Sequence, residues 1–206
     1  VFEGKIVQER LEDAHDILGT FKIVSDSKEM SRGAKNSSEF IKLLRYRHSI
    51  ILKGRPDKHP GQFKQYHNRA GESRFVSPEL VTGTLIKGFE LYRTLEDPLT
   101  RAIFMMFLVA EVHPFADGNG RIARIMMNAE LVHGRCARII IPTVYREDYL
   151  LALRALTRQG HTQPYIRMLD RAQEFSARID FNRYDAALDA LRQANAFLEP
   201  HEGKLA

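Results

Sequence analysis

The chain has 206 residues, of which 44% are hydrophobic and 28% charged, and its formal net charge is +5. This length and composition are ordinary for one soluble globular domain, or for a domain with an appended element. The single cysteine, Cys136, excludes an internal disulfide framework. The mild basic excess suits a polyphosphate, an acidic partner or nucleic acid without choosing among them.

No segment of the sequence is typical of membrane targeting. The opening stretch VFEGKIVQERLEDAHD carries charges throughout, unlike a signal peptide, and the apolar run Ala102 to Ala110 is too short to cross a bilayer. We therefore expect a cytoplasmic protein without a membrane partner. Nucleic acid is not an expected partner either, because no basic run is interleaved with aromatic residues.

The predicted elements are almost all helices, so the predicted fold class is all-α, a helical bundle. Apolar spacing predicts a first helix from about Glu3 to Leu18, followed by a polar loop at 25–35. Short alternating pieces at 62–66 and 74–76, with turn residues between them, predict a small β-hairpin. Further helices are predicted from Ser37 or Ser38, after Ser77, after Asp97, from Asn119 or Gly120, and at 145–159, 162–178 and 182–198.

The segment HPFADGNGRIAR, residues 113–124, concentrates the residues that can carry chemistry. It joins an apolar helix to the start of the next one, and unpaired N–H groups with the positive helix dipole make a helix start an anion site. Gly118 and Gly120 let the backbone approach a phosphate closely. Arg121 and Arg124 supply guanidinium groups that suit phosphate oxygens.

Two further residues of this segment suggest a metal and a base. Asp117 is a hard oxygen ligand of the kind that Mg²⁺ on a polyphosphate requires, and His113 is a candidate proton acceptor near neutral pH. Each residue alone also fits a simple helix end or turn. A zinc site at these two residues lacks a convincing third ligand, since His133 lies on the far side of its helix. Phe115 is predicted to anchor the loop in the core.

The same segment resembles the signature of Fic-domain proteins, H-x-F-x-[D/E]-G-N-G-R-x-x-R, with every specified position filled. The resemblance extends from about Asn36 to Met168. It implies a Fic core domain at 36–178, preceded by an N-terminal helix and loop at 1–35 and followed by a C-terminal helix at 179–206.

This resemblance implies a protein adenylyltransferase, which transfers AMP from ATP to a Ser, Thr or Tyr hydroxyl of a target protein. Magnesium is the implied cofactor, and a homodimer is a possible assembly because family members often dimerise. Carried over from the family, His113 would be the general base and Asp117 the magnesium ligand. The phosphate-binding residues would be Gly118, Asn119, Gly120, Arg121 and Arg124.

Two regions outside the signature gain roles from the comparison. Tyr149 and Thr157 match the positions near the adenine, although the family usually has asparagine where Thr157 stands, which leaves the choice of nucleobase open. The predicted hairpin resembles the flap that holds a target segment as an added strand. Its candidate target-binding residues are Glu72, Ser73, Arg74, Phe75 and Val76.

Glu3 and Gly4 match the end of an inhibitory motif of many family members, [S/T]-x-x-x-E-[G/N]. In those proteins the glutamate pairs with the second signature arginine and competes with the γ-phosphate. The match predicts that Glu3 inhibits this protein by pairing with Arg124. The alternative is a glutamate in the first turn of a helix, stabilised by the helix dipole alone.

Two other functions stay open at this point. One keeps the fold and alters the reaction, with a different nucleotidyl donor or the removal of AMP. The other is a nucleotide-sensing regulatory module or a nucleic-acid-binding module. The intact His113 argues against a pure sensor, because sensing does not require a base.

Overall fold

The structure, a computed structural model, describes residues 11–70 and 73–205. These residues fold mainly into helices and divide after Arg135 into two compact units. None of the helices in the described ranges combines the length and the apolar character that a membrane span requires. The predicted boundaries at 1–35, 36–178 and 179–206 stay a prediction.

The unit that ends at Arg135 contains six helices within its described residues. The helices are α1 Leu11–Val24, α2 Ser27–Met30, α3 Ser37–Ile51, α4 Val81–Tyr92, α5 Pro98–Val112 and α6 Asn119–His133. Side-chain caps begin α3 and α5: Asn36 accepts a hydrogen bond from the Glu39 amide at 2.9 Å, and Asp97 accepts one from the Thr100 amide at 2.7 Å. Ser77 makes no such bond, and a short 3-10 turn at 78–80 precedes α4 instead.

A buried arginine fixes the short helix α2, which forms inside the predicted loop. Arg47 of α3 is fully buried, and its Nε pairs with the Glu29 carboxylate at 2.9 Å. Its Nη2 also donates to the carbonyl oxygens of Glu29 at 2.6 Å and Arg32 at 3.0 Å. These charge-assisted bonds offset the cost of removing the guanidinium from water.

Helices α5 and α6 pack along each other and form the apolar support of the loop between them. Most side chains of the apolar run Ala102 to Ala110 are buried. The residues of α5 and α6 that are at most 3% exposed are Ala102, Met105, Met106, Val109, Val112, Asn119, Ile122, Ala123, Ile125, Met126, Met127 and Leu131.

The prediction of a small β-hairpin flap is wrong, and the fold is helical. Residues 62–66 form no strand, and in the described part of 54–80 the pairing is limited to Arg69 with Arg74 and Ala70 with Ser73. Two residues a side are too few for an independent hairpin. The alternating pattern was misleading because residue 64 instead bonds outside the segment, its amide donating to the Pro114 carbonyl at 2.9 Å.

The second unit begins at Cys136 and contains three helices in its described part. They are α7 Arg146–Gln159, α8 Thr162–Ala177 and α9 Tyr184–Gln193. Gly160 ends α7 in the left-handed region at φ 70°, a conformation that glycine adopts without a steric penalty. The three predicted helices are confirmed, with α9 shorter than expected.

Candidate active site

The loop between α5 and α6 turns sharply at both ends. His113 ends α5 at φ 50° and Gly118 precedes α6 at φ 74°, both in the left-handed region. The buried Asn119 side chain ties the loop across its middle, since it accepts from the Phe115 amide and donates to the Phe115 carbonyl, both at 2.9 Å. Its side chain therefore shapes the loop, and its backbone N–H lies in the first turn of α6.

Two stacked rings support this loop from the core side. Phe115 is fully buried, as predicted, and the His48 ring of α3 lies 3.6 Å away and nearly parallel to it. His48 Nδ1 accepts from the Gly61 amide at 2.9 Å, so its Nε2 carries the proton and donates to the Asp117 carbonyl at 3.0 Å. Burial lowers the pKa of His48 to about 4, so the ring is neutral at pH 7.

The predicted base, His113, is held in the form that accepts a proton. Its Nδ1 lies 3.3 Å from the Ala110 carbonyl, which only accepts hydrogen bonds, so Nδ1 carries the proton and Nε2 the lone pair. The Phe75 ring stacks on the imidazole at 3.7 Å and 9°. Burial lowers the pKa of His113 to about 4, and the charge of Lys64 acts in the same direction.

The predicted magnesium ligand, Asp117, is an ion-paired carboxylate at the loop surface. Its Oδ1 accepts from the Gly118 amide at 2.6 Å, and its Oδ2 lies 2.8 Å from Arg55 Nη1. The Asp117 side chain is 39% exposed, so a ligand can reach it from solvent. Arg55, which follows α3, therefore supplies a neighbouring positive charge that the sequence patterns did not indicate.

Asp16 of α1 reaches the first signature arginine. Its side chain is 4% exposed and pairs with Arg121, and the same Oδ2 lies 3.4 Å from Arg55 Nη1. Two acids and two arginines thus alternate in one chain of ion pairs that runs from Asp117 through Arg55 and Asp16 to Arg121. The buried charges are compensated within this chain, which joins α1 to the start of α6.

The second signature arginine lies over the first turn of α6. A Cβ at Gly120 would make only ordinary van der Waals contact with Arg124 Nη1, at 3.6 Å, so this guanidinium lies beside the first turn of α6. The structure therefore gathers all seven predicted signature residues at one end of α5 and α6. Within the described ranges no three histidine, cysteine or acidic side chains form a group that could hold a metal ion.

The residues predicted outside the signature have different placements. Phe75 lies on the His113 ring, Arg74 is exposed and Val76 is half-buried, whereas Ser73 is described only by its backbone pairing. Glu72 and Glu3 lie outside the described residues.

Tyr149 and Thr157 both lie on α7, in the second unit. Tyr149 is buried, with its ring 6.3 Å from that of Tyr165, and Thr157 is exposed. Tyr149 therefore belongs to the core of this unit.

Sequence reasoning missed five residues of the site, and only one had left a usable signal. His48 lies four residues after Leu44 and eight after Phe40, both fully buried, so the helical period places it on the buried face of α3. A buried imidazole requires polar partners, which is a reason to look for them. The other four, which depend on contacts distant in sequence, are Asp16, Arg55, Lys64 and Asn68.

A neutral imidazole, an exposed carboxylate and two guanidinium groups lie at or near the start of α6, an arrangement whose charges suit phosphate groups. Comparison with known proteins identifies the scaffold. The Fic/DOC family matches residues 40–131. These residues therefore form a domain of the Fic/DOC family.

Curated and solved relatives agree with this assignment. The chain is 27% identical over 167 residues to protein adenylyltransferase fic-1 of Caenorhabditis elegans, which covers 77% of this chain and 32% of that protein. The solved Fic-1 fragment from C. elegans has a TM-score of 0.68 at 20% identity and covers 93% of this chain and 56% of that one.

A third likeness is to BepC of Bartonella tribocorum with bound AMPPNP. It has a TM-score of 0.59 at 12% identity and covers 78% of this chain and 86% of that one. The solved structures show that the helical fold is the Fic fold. The chain spans about a third of the length of its curated relative fic-1.

Proposed function

We propose that this chain is a protein adenylyltransferase, which transfers AMP from ATP to a Ser, Thr or Tyr hydroxyl of a target protein. The observation that carries the proposal is the state of His113, whose Nε2 holds the lone pair because Nδ1 donates to the Ala110 carbonyl. The name of the C. elegans relative, protein adenylyltransferase fic-1, supports the same activity. The proposal includes a cytoplasmic location, and a homodimer is one assembly compatible with it.

The residues at the start of α6 fit a nucleoside triphosphate. The amides of Asn119 and Gly120, in the first turn of α6, have no carbonyl acceptor within the helix and suit phosphate oxygens. Arg121 and Arg124 add guanidinium groups beside the same turn. The AMPPNP bound to the B. tribocorum relative supports ATP as the donor.

Magnesium fits this site only together with the phosphates. Asp117 offers one exposed carboxylate, and Mg²⁺ on a polyphosphate characteristically uses one or two carboxylates plus phosphate oxygens and waters. When bound, the ion would neutralise charge on the phosphates. Asp117 would hold it, with Arg55 as the neighbouring positive charge at 2.8 Å.

The proposed reaction is an in-line displacement at the α-phosphorus of ATP. The target hydroxyl oxygen forms a bond to this phosphorus, the bond to the β-phosphate bridging oxygen breaks, and pyrophosphate leaves. His113 Nε2 accepts the hydroxyl proton as the new bond forms. The α6 dipole and the two signature arginines stabilise the negative charge on the phosphates. Positioning and electrostatic stabilisation therefore account for most of the reduction of the activation barrier.

The segment next to the base is proposed to position the target. Phe75 stacks on His113, and this contact supports a role for the segment in positioning an incoming hydroxyl group. Tyr149 and Thr157 of α7 are proposed to contact the nucleobase, on the strength of their match to the family pattern alone. The proposed target-positioning residues are Glu72, Ser73, Arg74, Phe75 and Val76.

The activity is tested with ATP labelled on either the α- or the γ-phosphate. Purified protein with Mg²⁺ and a cell lysate is expected to transfer label to proteins from α-labelled ATP only, because AMP retains the α-phosphorus. Label from γ-labelled ATP alone would contradict the proposal and indicate phosphotransfer. Absence of label together with salt-sensitive retention of DNA would favour the binding module instead.

Replacing Glu3 by glycine is expected to raise the AMP-transfer rate about tenfold, the usual scale of a coupling between two sites. The reason is that the proposed pairing of Glu3 with Arg124 competes with the γ-phosphate. The melting temperature should stay unchanged. The matched control is Glu202→Gly, at an exposed position in the C-terminal segment. An equal rate in Glu3→Gly and wild type would remove the inhibitory role.

A further inference from the structure

A buried lysine brackets His113 from the segment that follows Gly61. Lys64 is 4% exposed. Its amide donates to the Pro114 carbonyl at 2.9 Å, and its Nζ donates to the Val112 carbonyl at 3.4 Å. The residues immediately before and after His113 are therefore both bonded to the same lysine.

Asn68, four residues after Lys64, completes this arrangement. Its Nδ2 donates to the Phe115 carbonyl at 2.9 Å, and its Oδ1 accepts from Lys64 Nζ at 2.7 Å. Four hydrogen bonds thus link Lys64 and Asn68 to each other and to residues 112, 114 and 115. We call this pair of residues the Lys64–Asn68 clamp.

The backbone at His113 requires such support. A non-glycine residue in the left-handed region, at φ 50°, is strained, and it persists only where its surroundings hold it. The last carbonyls of α5 also lack N–H donors within the helix. The clamp supplies donors to the carbonyls on both sides of His113, where the helical pattern has ended.

A buried lysine is energetically unfavourable if its only role is structural. Burying an ammonium group carries a large desolvation penalty, which an apolar residue of the same length would avoid. Burial lowers the pKa of Lys64 to about 8, so the group is still mostly charged at pH 7. Its charge is therefore present beside the imidazole.

We propose that Lys64 and Asn68 are positioning residues for His113, which fix the place of its Nε2 relative to the start of α6. This inference rests on the proposed function, because it concerns the same base. Burial and the charge of Lys64 lower the pKa of His113, whereas the Ala110 carbonyl and the charge of Asp117 raise it. The uncharged Phe75 covers one ring face. The clamp thus acts through both backbone geometry and charge.

The test uses Lys64→Met, which keeps the side-chain length and removes the charge, and Asn68→Ala. Lys87→Met, at a 75% exposed lysine of α4, is the matched control. Two quantities are measured: the AMP-transfer constants, and the NMR titration midpoint of the His113 imidazole, assigned by its loss in His113→Ala.

Both clamp variants are expected to lower kcat about tenfold, as loss of an outer-shell partner commonly does, while KM for ATP changes less than about twofold. The His113 midpoint is expected to rise in Lys64→Met, because the repelling charge is gone. It should rise less in Asn68→Ala, which keeps that charge. Lys87→Met should match wild type in every measurement.

Unchanged kcat and an unchanged His113 midpoint in Lys64→Met would overturn the inference. If Lys64→Met fails to fold, Asn68→Asp decides the question, because a carboxylate still accepts from Lys64 but no longer donates to Phe115. A kcat equal to wild type in both Asn68 variants would then overturn it. If wild type itself transfers no AMP, the proposed function fails, while the His113 titration still tests the clamp.

Discussion

Replacing His113 by alanine is expected to lower kcat for AMP transfer by about 10²- to 10⁴-fold, the usual contribution of a positioned general base. His113 Nε2 holds the lone pair that would accept the hydroxyl proton, since Nδ1 donates to Ala110. KM for ATP should change little, because the phosphate-binding groups belong to the loop and α6. The measurement is the steady-state rate with α-labelled ATP.

The pH profile provides a second measurement on the same residue. The base works only when it is deprotonated, and the pKa of His113 is lowered to about 4. The acid limb of kcat/KM is therefore expected near pH 4, with a flat rate between about pH 6 and 8. His67→Ala, at an exposed histidine, is the control and should keep both rate and profile. A His113→Ala rate within tenfold of wild type would rule out the proposed base.

Replacing His48 by phenylalanine is expected to reduce the free energy of unfolding by about 3 kcal/mol, since two buried backbone groups would each lose a partner. Phenylalanine keeps the stacking on Phe115 but offers nothing to the Gly61 amide or the Asp117 carbonyl. Urea unfolding measures the change as a lower midpoint at constant slope.

The control for His48→Phe is His67→Phe, because His67 is exposed. Its midpoint should equal that of wild type. A His48→Phe midpoint equal to wild type would show that the two hydrogen bonds contribute nothing to stability. We also expect slower AMP transfer in His48→Phe, since the carbonyl of Asp117 is one of the points that hold the loop.

The parts of the molecule that sequence could predict are those encoded by neighbouring residues. Helix starts at Asn36 and Asp97 depend on side chains that bond to amides three residues later, and the spacing alone shows them. The loop was predictable for the same reason, because its chemical groups occupy one short segment. Its stabilisation was not, because Lys64 donates to residues about fifty positions away.

The error in the segment before α4 has a related cause. Alternating apolar and polar residues at 62–66 suggested a strand, but in the structure the polar Lys64 is buried and Tyr66 is exposed. Here Phe63 packs on Phe115 at 5.4 Å between ring centres, and Lys64 bonds to the end of α5. The segment is therefore organised by the α5–α6 loop rather than by a partner strand.

The close contact between α1 and α3 requires glycine at position 19. A Cβ at Gly19 would come 2.5 Å from the Ile50 carbonyl oxygen, which is backbone and has little freedom to move. Asp16, which forms an ion pair with Arg121, lies about one turn earlier on the same helix, α1. In a saturation-mutagenesis map, position 19 would therefore score like a nucleotide-contacting position, although no chemistry occurs there.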